Sequence, residues 1–100
     1  MASLTPGAVE GIINEKLTVA GGHRPVLQVV KFATFTNEEG HTRERLWLSD
    51  GGRWVQGTAS PQDGRVLTPG CFVRLLEYVP CKMSVAVAIY AKDFDIVSPA

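Results

Sequence analysis

The chain has 100 residues, of which 45% are hydrophobic, and its ten lysines and arginines balance its ten aspartates and glutamates. This length fits one domain, so we treat residues 1–100 as a single domain. The balanced charge excludes a charged disordered tail and argues against a globally basic nucleic-acid-binding protein. The longest apolar stretch, Met83–Ala91, is interrupted by Ser84 and is far shorter than the ~20 residues that cross a membrane, so we expect no membrane partner.

The first predicted element is a short helix over about residues 6–16. Thr5 is a good N-cap, and Pro6 suits the first helical position, where a missing N–H costs nothing. The apolar residues that follow recur at helical spacing; they are Val9, Ile12, Ile13 and Leu17. Gly7 and Gly11 weaken this helix, which is why we expect it to be short.

From Pro25 onward the apolar residues follow strand periodicity instead. Segments rich in β-branched and aromatic residues predict five strands, over residues 25–35, 42–49, 53–58, 71–79 and 84–97. Between them, Asp50–Gly52 predicts a tight hairpin turn and Pro80–Met83 a short connection. Residues 59–70 are rich in proline and glycine and predict a loop.

Five strands in about 75 residues are too few for a good sandwich of two sheets, whereas a small closed barrel leaves no exposed sheet edges. The pattern suits an oligonucleotide/oligosaccharide-binding (OB) barrel, although the loop that should cap one end of it is short. The predicted fold class is therefore all-β, a five-stranded OB-fold barrel with a short N-terminal helix.

The cysteines and histidines predict no metal site and no cofactor. Cys71 and Cys81 flank apolar runs, so we expect two buried or half-buried free thiols in a reducing compartment, with a hairpin disulfide between them as the alternative. His23 and His41 lie far apart without a cysteine or carboxylate at zinc-like intervals, and both read as surface residues.

The chain carries no recognisable catalytic motif. Gly51-Gly52 closes a hairpin and is not a phosphate-binding loop, and a G-x-S-x-G elbow is absent from the sequence. Asp93 and Asp95 share a strand face and could form a carboxylate pair, but a solvated strand end is the favoured explanation. We therefore expect a binding module and not an enzyme.

Five segments resemble, in order and spacing, the N-terminal OB domain of the large subunit of replication protein A. They are Leu4–Val9, Pro25–Val30, Arg45–Gly51, Gly70–Leu75 and Asp93–Val97. The resemblance implies a nuclear protein-interaction domain, excised from a longer subunit, with a basic groove. That groove would bind acidic amphipathic helices of replication, repair and checkpoint proteins, and single-stranded DNA weakly. The remaining part of that longer subunit would contact the other replication protein A subunits.

The basic pair of the family's groove matches Arg43 and Arg45. Strand alternation puts these two side chains on one face, roughly 6–7 Å apart, opposite the face of Leu46 and Leu48. A pair of solvated arginines neutralised by neighbouring glutamates is the alternative interpretation. The family usually places a further basic residue where this chain has Ala33.

Four more groups complete the groove that the resemblance implies. Lys31 lies on the same face as Ala33 and would partly substitute for the missing cation, and Lys82 is the remaining cation of a shortened last hairpin. The floor of the groove matches Gln56, Thr58 and Ser60, with Val85 or Val87 across from them. This floor is more polar than the family pattern.

The aromatic residues divide into two groups. Trp47 shares the face of the arginines, where it would anchor a helix or stack on a base, and packing in the core or at the barrel end is the alternative for both Trp47 and Trp54. The others are predicted to lie mostly in the core; they are Phe32, Phe35, Phe72, Tyr78, Tyr90 and Phe94.

Two rival functions stay open at this point. The first is direct binding of single-stranded nucleic acid by the barrel, against which the zero net charge counts. The second is a structural role, in which the apolar strand Ser84–Tyr90 holds a subunit interface.

Overall fold

The computed structural model describes residues 3–36, 38–59, 67–82 and 87–98. One helix and five strands follow one another along the chain: α1 (Ala8–Ile13), β1 (Val26–Thr36), β2 (Thr42–Ser49), β3 (Trp54–Ala59), β4 (Phe72–Lys82) and β5 (Val87–Ser98). The prediction of an all-β barrel with five strands and a short N-terminal helix is confirmed, and β2 has the predicted bounds.

The strands close into a barrel in the order β1-β2-β3-β5-β4, with β4 returning to β1. All neighbouring strands are antiparallel except β3 and β5, which run parallel where Gly57 faces Ile89 and Thr58 faces Tyr90. A five-stranded barrel with this Greek-key order is an OB-fold barrel, as the sequence predicted.

The core consists of the inward-facing residues of every strand, and α1 closes one end of the barrel. Leu46 and Leu48 on β2 are fully buried, as their alternation predicted, and Val9 and Ile12 of α1 pack against the same cluster. The aromatic prediction holds for Tyr78 and for Phe94, both of which are buried.

The helix is shorter than predicted and begins differently. Its N-cap is Gly7, in the left-handed region at φ 72°, and not Thr5. The Thr5 hydroxyl instead accepts a hydrogen bond from the Val26 N–H at 2.9 Å, which ties the N-terminal segment to β1. The helix ends at Ile13 because the Gly11 carbonyl then accepts the N–H groups of Lys16 and Leu17, which turns the chain away. Six residues are far too few for a helix to cross a membrane, and no other helix occurs among the described residues.

The predicted connection at Pro80–Met83 is mostly strand. Pro80 to Lys82 continue β4 and pair with Ile89 to Val87 of β5. Among the described residues β1 pairs with β4 only over Phe72–Arg74, so the far end of β4 is an edge, where a proline without an N–H is tolerated. The turn that joins β4 to β5, and most of the predicted loop 59–70, lie outside the described residues.

A buried carboxylate joins α1 to the turn between β2 and β3. Asp50 accepts backbone hydrogen bonds from Gly52 at 2.9 Å and Arg53 at 2.8 Å on one oxygen, and from Val9 at 3.1 Å on the other. Burial acts to raise the pKa of Asp50, but these three N–H groups and the Arg53 charge outweigh it and leave the pKa lowered.

Candidate partner-binding face

The outward-facing side chains of β1, β2 and β3 form one continuous surface, which we name the β1–β3 face. The strand register aligns Lys31, Trp47 and Gln56 in one row and Ala33, Arg45 and Thr58 in the next. Ten residues belong to this face: Lys31, Ala33, Phe35, Arg43, Arg45, Trp47, Ser49, Trp54, Gln56 and Thr58. Strands 2 and 3 of OB barrels are the usual location of their ligands.

The β1–β3 face is basic although the chain as a whole is neutral. It carries the side chains of Lys31, Arg43 and Arg45, and no carboxylate belongs to it within the described spans of the three strands. Glu44 lies between the two arginines in sequence, but it alternates onto the opposite side of β2. Charge is therefore segregated locally, which is what a neutral chain needs to attract an acidic partner.

Aromatic rings hold two of these cations in place. The Lys31 Nζ lies 5.0 Å from the centroid of the Trp47 ring, and the Arg45 guanidinium carbon lies 5.2 Å from that of Phe35. Cation–π contacts of this length fix the long side chains over the sheet. Phe35 is thus half-buried under an arginine outside the barrel, which contradicts its predicted place in the core.

One end of the face is an apolar hollow between the two tryptophans. A cavity of about 290 Å³ is lined by Val30, Lys31, Trp47, Ser49 and Trp54. The Trp54 side chain is 63% exposed and Val30 is 51% exposed. Core packing, the alternative for Trp54, is therefore wrong. The exposure of Trp54 could have been predicted from strand alternation, because its neighbour Val55 faces the core and leaves Trp54 on the outer side.

The other end of the face continues across β3 onto β5. A second cavity, of about 390 Å³, is lined by Phe35, Arg43, Thr58, Cys81 and Tyr90. Tyr90 is therefore on the outer surface and half-buried, not in the core.

Cys81 is an exposed free thiol, which contradicts the expected burial, while Cys71 is buried and free as expected. The disulfide alternative is wrong because both thiols are free. Cys81 is exposed because it sits at the open edge of β4.

The structure brings together six of the eight residues assigned to partner binding from the sequence. Those on the β1–β3 face are Lys31, Arg43, Arg45, Trp47, Gln56 and Thr58. Lys82 is exposed but follows Cys81, so it alternates to the opposite side of β4. Val87, which pairs with it, lies on that side too. Val85 and Ser60 fall outside the described residues, and a binding role for any of these residues stays a prediction.

The described residues can be compared with the ligand sets that hold metal ions. Within the described residues, no group of three or more histidine, cysteine, aspartate or glutamate side chains could hold an ion. His23 and His41 are both exposed, as predicted, and the His41 Nδ1 lies 3.5 Å from a Glu39 carboxylate oxygen.

The dimensions of the β1–β3 face suit a short helix. The Cα atoms of Arg43 and Trp47 are four residue steps apart, which is about 13 Å of extended strand. Two and a half turns of an α-helix, about nine residues, have the same length.

No protein-family model matches this chain, and no curated protein matches it either. The fold and the side chains of the β1–β3 face are thus the grounds on which a function is argued.

Proposed function

We propose that this protein is an OB-fold protein-interaction module that binds acidic amphipathic helices on its β1–β3 face. The observation that supports it is that a neutral chain places Lys31, Arg43 and Arg45 on one face with two tryptophans, and that no carboxylate lies on this face within the described spans of β1, β2 and β3. This is the role that the resemblance to the N-terminal domain of the replication protein A large subunit implies, and the proposal includes it.

The spacing of the arginines supports a helical partner. Arg43 and Arg45 stand two residues apart on one strand, so their Cα atoms are roughly 6–7 Å apart. Carboxylates four residues apart on a helix have nearly the same separation, about 5–6 Å. Each arginine could therefore form a forked bond with its own carboxylate while the apolar side of the helix meets Trp47.

The biological setting belongs to the same proposal. The partners would be replication, repair and checkpoint proteins in the nucleus, and the remaining subunits of replication protein A would be contacted through a longer chain. No cofactor and no catalytic step are part of this function.

The decisive experiment is a calorimetric titration with a synthetic acidic amphipathic peptide of about 15 residues. We expect micromolar affinity for the native protein and a loss of at least about tenfold for the double variant Arg43→Glu/Arg45→Glu. The matched control is Arg24→Glu/Arg74→Glu, which changes the net charge equally at two exposed arginines outside the β1–β3 face.

The two ways in which this experiment can fail are distinct. Equal affinity in the double variant and the native protein would place the binding site elsewhere. Absence of binding by the native protein would reject the acidic helix as the ligand.

Weak binding of single-stranded DNA is the second candidate, and the exposure of Trp54 favours it. Trp54 and Trp47 border one hollow beside Lys31, which is the combination of ring and cation that stacks bases and neutralises phosphate. We expect an oligothymidylate to bind weakly and Trp54→Ala to reduce that binding several-fold while leaving the acidic peptide bound through the arginines. An oligonucleotide affinity unchanged by Trp54→Ala would contradict stacking at this position.

A further inference from the structure

A third and larger cavity lies away from the basic residues, on the outer side of β4 and β5. It measures about 450 Å³ and is covered by the segment 15–20 between α1 and β1. Leu17 and Val19 line it from that segment, and Val79 and Tyr90 line it from the strands. We name it the β4–β5 cleft.

The cleft is apolar and accessible for identifiable reasons. Leu17 packs back against α1, since a Cβ at Gly11 would lie 2.8 Å from the Leu17 Cγ and the Leu17 N–H donates a hydrogen bond to the Gly11 carbonyl. Since β1 leaves the far end of β4 uncovered, Val79 stays 52% exposed within the cleft. Clefts of roughly 300–1,000 Å³ with mainly apolar linings are typical of binding sites.

The charges at the rim of the cleft favour a cationic occupant. Lys92 is the lining cation within the described residues, and its Nζ lies 3.5 Å from a carboxylate oxygen of Glu77. Glu15 also lines the cleft, and no ion pair joins it to another described residue. Among the described residues, the Glu15 carboxylate therefore stands beside an apolar surface without an ion-pair partner.

Glu15 occupies a backbone position that suits glycine better. Its φ is 59°, and it is the one residue other than glycine with a positive φ among the described residues. A side chain with a Cβ is strained in this region, whereas glycine is not. The fold therefore does not explain why a glutamate stands at the rim.

We propose that the β4–β5 cleft binds a peptide segment in which a large aliphatic or aromatic residue is flanked by lysine or arginine. The apolar side chain enters the cleft against Val79 and Tyr90, and the flanking cation pairs with Glu15. Together with the acidic helices proposed for the β1–β3 face, this ligand would give the protein two peptide-binding surfaces of opposite charge preference. This proposal does not depend on the function proposed for that face.

The test is an amide NMR titration with two blocked hexapeptides. The cationic probe is acetyl-Gly-Arg-Leu-Phe-Lys-Gly-amide, and the anionic probe has glutamate in place of arginine and lysine. We expect the cationic probe to shift Leu17, Val79 and Tyr90 in a saturable way, and the anionic probe not to shift Leu17 or Val79.

Two variants at Glu15 separate binding from folding. Glu15→Gln removes the charge and keeps the shape, and we expect it to weaken the cationic probe about threefold to fivefold, the range of an exposed ion pair. Glu15→Gly should weaken binding equally while raising the melting temperature, because it relieves the backbone. The control Glu10→Gln removes an exposed carboxylate of α1 that pairs with Arg53, and it should leave binding unchanged.

Several results would overturn the proposal. Shifts outside the cleft, equal binding of both probes, or unchanged affinity in both Glu15 variants would each do so. Failure of the acidic peptide to bind the β1–β3 face would not affect it, since that measurement uses a different ligand and depends on Arg43 and Arg45, which do not line the cleft.

Discussion

Asp50 joins three parts of the chain with one carboxylate, since its two oxygens accept N–H groups from Val9, Gly52 and Arg53. It is only 7% exposed. Removing an acceptor of this kind leaves buried N–H groups without a partner, which costs more than the bonds themselves.

We therefore expect Asp50→Asn to lower the free energy of unfolding by about 2 kcal/mol at neutral pH, as measured by urea unfolding. Asp95→Asn, at an exposed position of β5, is the control and should change it by less than about 0.5 kcal/mol. If the two variants were equally stable, the carboxylate would not hold the turn to the helix.

The same carboxylate predicts how stability depends on pH. The pKa of Asp50 is lower in the folded protein than its ordinary value of 3.8. Its contribution is thus complete above the unfolded pKa and is lost as the pH falls below about 4 through the folded value. The native protein should lose stability more steeply than Asp50→Asn over that range, and parallel pH profiles would contradict this.

The two thiols should differ sharply in reactivity. Cys81 is exposed and Cys71 is fully buried. Titration of the folded protein with an aromatic disulfide reagent should therefore modify one thiol rapidly, and the second only in denaturant. Rapid reaction of both thiols without denaturant would show that the barrel opens around Cys71.

At this scale the sequence predicted which face each arginine occupies, because alternation depends only on the strand and its phase. It did not predict the exposure of Trp54 or Cys81. The exposure of Trp54 follows from its alternation with Val55, whereas the exposure of Cys81 depends on which strands lie beside β4, which is information that the local sequence does not contain.

Among the elements, β3 has a point at which its two neighbours leave no room for a side chain. It pairs with β2 on one side and runs parallel to β5 on the other. Gly57 lies at that crossing, where a Cβ would be 3.0 Å from the Ile89 carbonyl oxygen and 3.0 Å from the Leu48 Cδ1. A backbone oxygen cannot move aside without shifting β5.

Gly57→Ala should therefore destabilise the protein by about 1–3 kcal/mol, measured by thermal or urea unfolding. Gly52→Ala is the matched control, because a Cβ there meets only the Asp50 Oδ1 at 3.7 Å. A loss of similar size in both variants would mean that backbone entropy, and not the crossing, sets the cost.

Element boundaries were predictable where turn-forming residues flank a strand, as at both ends of β2. The helix was overestimated because its apolar spacing continues to Leu17, while the backbone turns at Asn14 through hydrogen bonds to Gly11. The end of β4 was underestimated because proline normally signals a loop, and its tolerance at a sheet edge follows from topology.

Across the whole molecule, exposed ion pairs contribute little to stability, whereas the cations of the β1–β3 face contribute much to the proposed binding. The net charge is zero, and the ion pairs Arg53–Glu10 and Lys92–Glu77 have side chains more than half exposed. Exposed pairs of this kind contribute little to folding. Salt should therefore affect the two properties differently.

Between 0.1 and 1 M NaCl the melting temperature should change by less than about 3 °C, whereas the affinity for the acidic peptide should fall at least about tenfold. Calorimetry measures both. A constant affinity over this range would show that apolar contacts, and not the cations of the β1–β3 face, hold the peptide.

The barrel itself was predictable from the number and length of the strands, because a small sheet with apolar alternation must close to cover its edges. The pairing of β3 with β5 was not readable from any single segment, yet it is what brings Tyr90 and Cys81 beside Arg43.

Both tryptophans of the chain lie on the β1–β3 face, and neither is in the core. Tryptophan fluorescence, excited at long wavelengths where the other aromatic residues absorb little, therefore reports on that surface. It reports very little on the barrel interior. A ligand that covers the hollow would blue-shift the spectrum and protect it from iodide. Unfolding, in contrast, would change the environment of an already solvated indole such as Trp54 very little. Tryptophan fluorescence would therefore underestimate denaturation. Far-ultraviolet circular dichroism would follow the loss of the strands directly.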